Sequence, residues 1–356
     1  MDRNLTTGAP YYTSNPSPTS SIPHWVPPAV AARCMQVSDY VRVILEPPHF
    51  WGGWEKDRRP AHHLAPRLER PEAVHLAFAG RGPQDGCEEP EMRHGTKVAV
   101  VTGATGAIGK AIARQLAEQQ DFEVIVACRD AGKGQRAVAE IQKATSNPAV
   151  RYELVDVARL EDIRAFVRRL AGQPVDVLIN NAAVAPRRRE ETSEGIEVQF
   201  ATNVLGYLWM IQQLSDNLRR VAPSRVVNVA SYWAGGLVLA DLQFQRRPYN
   251  NDAAYRQSKQ ADRMLTVALA ERLASDGISV NACHSGDVNS TLSNSLGFGG
   301  SESPDRGART PVWLATEDIG QRATGRYFEH EREVPCRFGR DRQAVEALYE
   351  TCLTFC

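Results

Sequence analysis

The sequence predicts an α/β fold, a doubly wound parallel sheet carried by residues 92–356 of a 356-residue chain. Three observations lead there. Short, wholly apolar runs alternate with helical stretches of about ten residues or more, as β-α-β units with strands buried on both faces require. A glycine-rich turn separates the first such run from the first helix. The composition also changes near Met92, with thirteen of the 21 prolines and five of the eight histidines lying before it. The stretch from Met92 to the C-terminus suffices for one doubly wound domain and leaves no room for a second.

The first strand is Val98-Ala99-Val100-Val101, a charge-free run soon closed by Gly103, and Ala107–Gln119 has helical spacing. Glu123–Ala127 is the second strand and Lys133–Lys143 the helix after it. Arg151–Val155, Val175–Ile179, Arg225–Val229 and Ile278–Ala282 continue the strands. Between them the spacing predicts helices over Glu161–Leu170, Gly195–Leu218 and Asp252–Ser275. The segment Arg332–Cys356, with V-E-A-L-Y at helical spacing, is expected to pack on the domain or on a neighbour. No fixed-period repeat is present.

Before Met92 the chain runs S-N-P-S-P-T-S-S-I-P, V-P-P, E-P-P and R-G-P-Q-D-G. Proline removes backbone donors and stops helix propagation, and no apolar period persists. Residues 1–91 therefore read as a proline-rich, mostly disordered extension, with a short strand or helix around Val37–Leu45. Other readings stay open: a binding element built on Trp25, Trp51, Trp54 and the His62–His63 pair, a targeting segment, or an over-extended start ahead of Met92.

Lys plus Arg equals Asp plus Glu at 42 each, so the chain lacks the basic excess expected of a nucleic-acid or anionic-membrane binder. No run of about 18 apolar residues could span a bilayer, and the start lacks a secretory layout. The seven cysteines are odd in number and include no C-x-x-C pair, so neither a disulfide framework nor a metal site is expected. A reducing, cytoplasmic setting fits best.

The turn Val101-Thr102-Gly103-Ala104-Thr105-Gly106-Ala107-Ile108-Gly109 opens the first helix. Glycine there permits a tight turn and close approach to a pyrophosphate, whose charge the helix N-terminus favours. The second strand ends Ala127-Cys128-Arg129-Asp130. An NAD site wants a carboxylate at the strand tip; Cys128 occupies it, and Arg129, aided by Lys133, suits the 2′-phosphate of NADP. Asp130 lies one residue too far along to serve. Tyr255 and Lys259 stand at i and i+4 on one helical face, where an ammonium would lower the phenol pKa toward operating pH. Ser231 follows the strand Arg225–Val229 and can hydrogen-bond a carbonyl oxygen, Asn203 lies in a long helix, and Asn180-Asn181-Ala182-Ala183 closes the fourth strand.

These pieces together resemble the short-chain dehydrogenase/reductase family, and within it the retinol-dehydrogenase-like branch. The likeness runs from Val98 to about His330 and rests on T-G-A-T-G-A-I-G, A-C-R-D, Asp156-Val157, N-N-A-A, G-I-E-V-Q-F-A-T-N-V-L-G, V-V-N-V-A-S, Y-R-Q-S-K and C-H-S-G-D-V. It implies a Rossmann fold and an NADP-dependent oxidoreductase acting on an apolar carbonyl or alcohol. Tyr255 would donate the proton, Ser231 hold the oxygen, Lys259 bind the nicotinamide ribose, and Asn203 anchor a relay water. Gly103, Thr105, Ile108, Gly109, Arg129, Asp156, Val157, Asn181, Tyr255, Lys259 and Val288 would contact the cofactor. Family habit implies a homo-oligomer through the helices that contain Asn203 and Tyr255.

Three departures stand out. The family's G-x-x-x-G-x-G becomes Gly103, Ala107 and Gly109; H-P-G becomes His284-Ser285-Gly286; and N-N-A-G becomes N-N-A-A. The lost proline is expected to loosen the loop that faces the nicotinamide. Two rivals remain. One is a catalytically silent NADP sensor that binds a protein partner through the proline-rich tail. The other is an extended relative acting on nucleotide sugars, which the short stretch after Ala282 disfavours. Trp233, Leu237, Val238 and Leu239, with Trp313 and Leu314 on a lid-like helix, are candidate walls of an apolar pocket or ordinary core.

Overall fold

The computed structural model describes residues 95–356. The expectations for residues 1–91, including the element at Val37–Leu45 and the Trp and His groups, lie outside the described residues.

Strands and helices alternate as β1 (Lys97–Thr102), α1 (Ala107–Ala117), β2 (Phe122–Cys128), α2 (Ala131–Thr145), β3 (Val150–Leu154), α3 (Leu160–Arg169) and β4 (Val177–Asn180). The second half runs α4 (Gly206–Gln213), α5 (Ser215–Arg219), β5 (Ser224–Val229), α6 (Asn251–Leu273), β6 (Ile278–His284), α7 (Thr291–Ser295), α8 (Pro304–Thr316), α9 (Asp318–Arg322), β7 (Tyr327–Glu329), β8 (Arg332–Glu333) and α10 (Arg342–Leu353). The sheet order is β3-β2-β1-β4-β5-β6-β7-β8, parallel except for the β7–β8 pair. The chain reverses its direction of travel across the sheet between β1 and β4, and such a switch point leaves a crevice at the carboxyl ends of the strands.

The apolar runs are explained by burial on both faces. Val98 and Val100 belong to a core shared with α3, α4, α6 and α10, while Ala99 and Val101 belong to another shared with α1, α2 and α8. The C-terminal helix α10 closes the first of these through Val345, Leu348 and Cys352, so this segment packs on the domain itself.

One predicted element is corrected. The helix expected over Gly195–Leu218 is divided into a π-helical segment Phe200–Leu205 followed by α4 and α5. Gly195 instead occupies a left-handed turn at φ +76°. Glu197 then halts further extension backwards, its carboxylate accepting from Gln199 N at 2.9 Å and Phe200 N at 2.7 Å. Strands β7 and β8 went unforeseen because three and two residues carry too little pattern. Among the described residues no helix is long and apolar enough to cross a membrane, and all five cysteines are free.

Candidate active site

A groove runs along the carboxyl ends of β1, β2 and β4. Gly103, Thr105, Ile108, Gly109, Arg129, Lys133, Asp156, Val157 and Asn181 all line it. Gly103 adopts φ +64°, and a Cβ there would stand 2.8 Å from Ala182 Cα. A Cβ on Gly109 would meet Gly103 O at 2.4 Å and Asn181 Nδ2 at 2.5 Å. Larger residues at either position would push the turn away from a ligand. The substitution of Ala107 costs nothing comparable, because it simply begins α1. Gly106 provides no side-chain cap to α1, so the first amides of that helix remain available to an anion.

Thr102 fastens this turn to the fourth strand. Its Oγ1 accepts from Asn181 N at 2.9 Å and Ala182 N at 3.1 Å, while Asn181 Nδ2 donates to Thr102 O at 2.8 Å. The Asn181 amide nitrogen is therefore committed to the glycine turn. At the tip of β2, Cys128 is buried and Arg129 is exposed beside Lys133. Asp130 caps α2, its Oδ1 accepting from Lys133 N at 2.7 Å. Asp130 also lines the groove beside Arg129. A cradle without side chains, an open helix N-terminus and a basic rim fit a dinucleotide.

The groove adjoins a pocket, since Ile108, Asn181 and Ala183 line both. Ser231, Tyr255, Lys259 and Val288 line the pocket as well. Ser231 leaves the end of β5, and its Oγ accepts from Trp233 N at 3.1 Å. Tyr255 and Lys259 occupy successive turns of α6, which is capped by Asn250, whose side chain accepts from Ala253 N. Lys259 Nζ lies 5.9 Å from the Tyr255 ring centroid. Asn203 sits in the π-helical segment, a distortion found often at functional sites. Its Oδ1 accepts from Val184 N at 2.9 Å, and its Nδ2 donates to Val184 O at 3.0 Å and Ser258 Oγ at 3.1 Å. The Asn203 side chain is thus a clamp between the N-N-A-A loop and α6, with its amide fully engaged by protein partners.

The electrostatics differ from the simple picture of an ammonium acidifying a phenol. Burial pushes Tyr255 up to about 12; hydrogen bonding from Ser231 opposes this, and the charges of Asp262 and Asp287 add to it. Lys259 is held within the protein by Asp262, whose Oδ2 lies 2.9 Å from Nζ. Burial works against the Lys259 charge, but Asp262 and then Tyr207 outweigh it and keep the ammonium above the ordinary lysine range. Asp262 and Tyr207 were not foreseen. The signal for Asp262 was present, since Y-R-Q-S-K-Q-A-D places it three residues beyond Lys259 on the same helical face.

The pocket walls are also redrawn. Trp233 lines the pocket and packs edge-on against Phe298 at 5.1 Å, with Leu292 and Leu296 alongside. Leu237 and Leu239 pack on the core, whereas Val238 is exposed. Leu314 is fully buried and Trp313 packs edge-on against Phe328 at 5.8 Å, so α8 buttresses the sheet and forms no lid. The loop without its proline is pinned through Asp287 O, which accepts from Ser301 N at 2.8 Å and Glu302 N at 2.9 Å. Among the described residues no group of His, Cys, Asp or Glu is placed to hold a metal ion.

His284 packs edge-on against Tyr232 at 4.6 Å and is 7% exposed. Burial drives its pKa down to about 4, opposed by Asp287. The unfolded chain, with an ordinary imidazole near 6.5, then binds the proton first. Stability is expected to fall as pH drops from about 6.5 to about 4, by at most about 3 kcal/mol from this residue. Urea unfolding of wild type and His284→Gln across that range checks this. The stability difference should change in favour of the variant as pH falls, and parallel profiles would refute it.

Comparison with known proteins agrees with this geometry. The family model "short chain dehydrogenase" matches residues 97–297. Retinol dehydrogenase 13 of Mus musculus is 36% identical over 273 residues, covering 71% of this chain and 81% of the relative. Retinol dehydrogenase 12 of Mus musculus is 35% identical over 267 residues, covering 71% and 84%. An uncharacterized protein from Mycobacterium Paratuberculosis has a crystal structure that superposes with TM-score 0.62 at 28% identity, covering 73% of this chain and 93% of that one. Salutaridine reductase from Papaver somniferum shares the fold, with TM-score 0.54 at 20% identity over 66% of this chain and 99% of that one. With the glycine turn, the Ser-Tyr-Lys pocket and these relatives in view, the chain belongs to the short-chain dehydrogenase family of oxidoreductases, in its retinol-dehydrogenase-like branch.

Proposed function

We propose that this protein is an NADP-dependent reductase and dehydrogenase that moves a hydride between the nicotinamide and an apolar carbonyl or alcohol. The observation that carries this reading is the convergence of Ser231, Tyr255 and Lys259 on a pocket adjoining the glycine-turn groove. Gly103, Thr105, Ile108 and Gly109 would hold the pyrophosphate, and Arg129 with Lys133 the 2′-phosphate. Asp156 and Val157 would flank the adenine, Asn181 the adjoining ribose, Lys259 the nicotinamide ribose and Val288 the nicotinamide end. When bound, NADPH supplies the hydride for the carbonyl carbon.

The chain's own residues handle the oxygen. Tyr255 donates its phenolic proton to it, and the Ser231 hydroxyl donates a second hydrogen bond that polarises the carbonyl. In the reverse direction the same tyrosine accepts the alcohol proton. Asn203 holds the end of the loop whose Asn181 and Ala183 line both groove and pocket. The relatives' name, retinol dehydrogenase, and the walls of Trp233, Leu292, Leu296 and Phe298 support an apolar substrate body. Burying such a body is worth about 25 cal/mol per Å2 of apolar surface.

NADPH oxidation by the purified full chain, offered retinal, a long-chain aldehyde, an aromatic aldehyde and glyceraldehyde, tests the proposal. The apolar aldehydes should exceed glyceraldehyde by at least about tenfold in kcat/KM, the equivalent of about 1.4 kcal/mol. Tight NADPH binding without turnover on any carbonyl would overturn it in favour of a sensor.

A further inference from the structure

The pocket has walls of two kinds. Trp233, Leu292, Leu296 and Phe298 are apolar, whereas Tyr232, His284 and Asp287 bring polar atoms to the same space. Among the described residues that line it, Asp287 is the one acid. Its side chain makes a single hydrogen bond there, a long one in which Tyr232 Oη donates to Oδ2 at 3.4 Å. Oδ1 has no partner, and no lysine or arginine forms an ion pair with this carboxylate among the described residues. After burial, the Asp287 charge contributes to the upward displacement of both Tyr232 and Tyr255, so the carboxylate faces the reacting end of the pocket.

The backbone fixes Asp287 there. Gly286 before it takes φ +85°, and a Cβ on that glycine would meet Glu302 Oε2 at 2.5 Å. Val288 after it forms a β-bridge with Glu302. The neighbouring polar groups are otherwise engaged. Glu302 pairs with Arg306 at 3.2 Å, and Ser290 and Ser293 cap α7 through each other. His284 is the exception, since it is buried, lines the pocket and has no hydrogen-bond partner among the described residues. Burial pushes its pKa down to about 4, which leaves a neutral imidazole with one accepting nitrogen at neutral pH. A carboxylate oxygen and an imidazole nitrogen, both unsatisfied beside apolar walls, suit a ligand that donates hydrogen bonds and carries positive charge.

We propose that Asp287 is a specificity-determining residue: among apolar carbonyls and alcohols it selects those that bear a protonated amine and rejects those that bear a carboxylate. This rests on the reading of the pocket as the carbonyl site. The apolar body would lie against Trp233 and Phe298, with its ammonium donating to Asp287 and to His284. Hydrogen bonds between charged groups are about twice as strong as neutral ones, which favours an amine over a hydroxyl.

The test uses meta and para isomers of three benzaldehydes of similar size, carrying a dimethylaminomethyl, an isobutyl or a carboxylate group. In wild type, kcat/KM for the ammonium should exceed that for isobutyl by at least about fivefold in one isomer series, and the carboxylate should fall below isobutyl by a similar factor. Asp287→Asn and Asp287→Ser should bring both ratios to within about twofold of one. Asp287 holds its loop through backbone atoms, so both substitutions spare the fold, and ratios taken within one enzyme cancel any general loss of rate. Wild-type ratios near one in both series would overturn the inference without recourse to a variant. Ratios that survive in both variants would assign the preference to another group and overturn it as well.

Binding of the same aldehydes to the enzyme–NADP+ complex, which has no hydride to give, repeats the comparison without turnover. Turnover of the isobutyl aldehyde with no ammonium preference sinks the Asp287 inference alone. Ammonium-selective binding that Asp287→Asn abolishes, with no aldehyde reduced, supports the inference and sinks the reductase reading alone.

Discussion

Tyr255→Phe should lower carbonyl reduction by about 100- to 10,000-fold, the range that a positioned general acid contributes, while leaving NADPH affinity within about twofold. The substitution removes one oxygen from a ring that is 8% exposed on the well-packed helix α6. The cavity is minimal, so the fold should survive and the loss can be read as chemistry. The Tyr255 phenol lines the pocket and is hydrogen-bonded with the Ser231 hydroxyl. Burial keeps it protonated, and Lys259 is already engaged by Asp262. Ser231→Ala should be milder, since the hydroxyl stabilises the oxygen without supplying its proton. The measurement is single-turnover reduction with saturating NADPH, together with cofactor binding by fluorescence. Wild-type turnover in the phenylalanine variant would show that the proton comes from elsewhere. Loss of NADPH binding in step with turnover would instead place Tyr255 in the cofactor site alone.

Much of this architecture could be read from the chain because its strands are buried on both faces, which forces runs such as Val98–Val101 to be wholly apolar. The glycine turn was equally legible, because positions like Gly103 and Gly109 have no room for a Cβ. Where residues act through distant partners, pattern was silent. Gly195–Leu218 has a continuous helical period, yet a left-handed glycine and the Glu197 carboxylate set the true start, and a π-helical segment brings Asn203 to Val184. Trp313 and Leu314 matched a lid in composition, but only the packing of α8 on the sheet tells core from pocket wall. The pairing of Lys259 and Asp262 was legible in spacing alone, although nothing in one dimension says that both would be sealed from water. Burial of the Tyr255 ring, which pushes the phenol pKa up, could not be read from the i, i+4 spacing either.

Arg129→Ala should weaken NADPH by roughly 10- to 150-fold, the equivalent of about 1.5–3 kcal/mol for a hydrogen bond to a charged group, and leave NADH within about twofold. On the proposed reading, the tip of β2 would set this preference. The position that would offer a carboxylate to a ribose 2′-hydroxyl is the thiol of Cys128, which is buried and faces Asp130 O at 3.5 Å. The nearest acid, Asp130, is occupied in capping α2. Arg129 and Lys133 are exposed on the same rim of the groove, so a 2′-phosphate would meet two cations. Because both cations are exposed, the preference should shrink as salt rises, with screening over about 10 Å at 0.1 M. Lys133→Ala should give a smaller loss of the same sign, since an ammonium engages phosphate as a point charge without the fork geometry of a guanidinium. Isothermal titration of both cofactors against wild type and the two variants, at low and high salt, measures all of this. Equal losses for NADPH and NADH in Arg129→Ala would remove the 2′-phosphate assignment and return Arg129 to the status of a solvated surface charge.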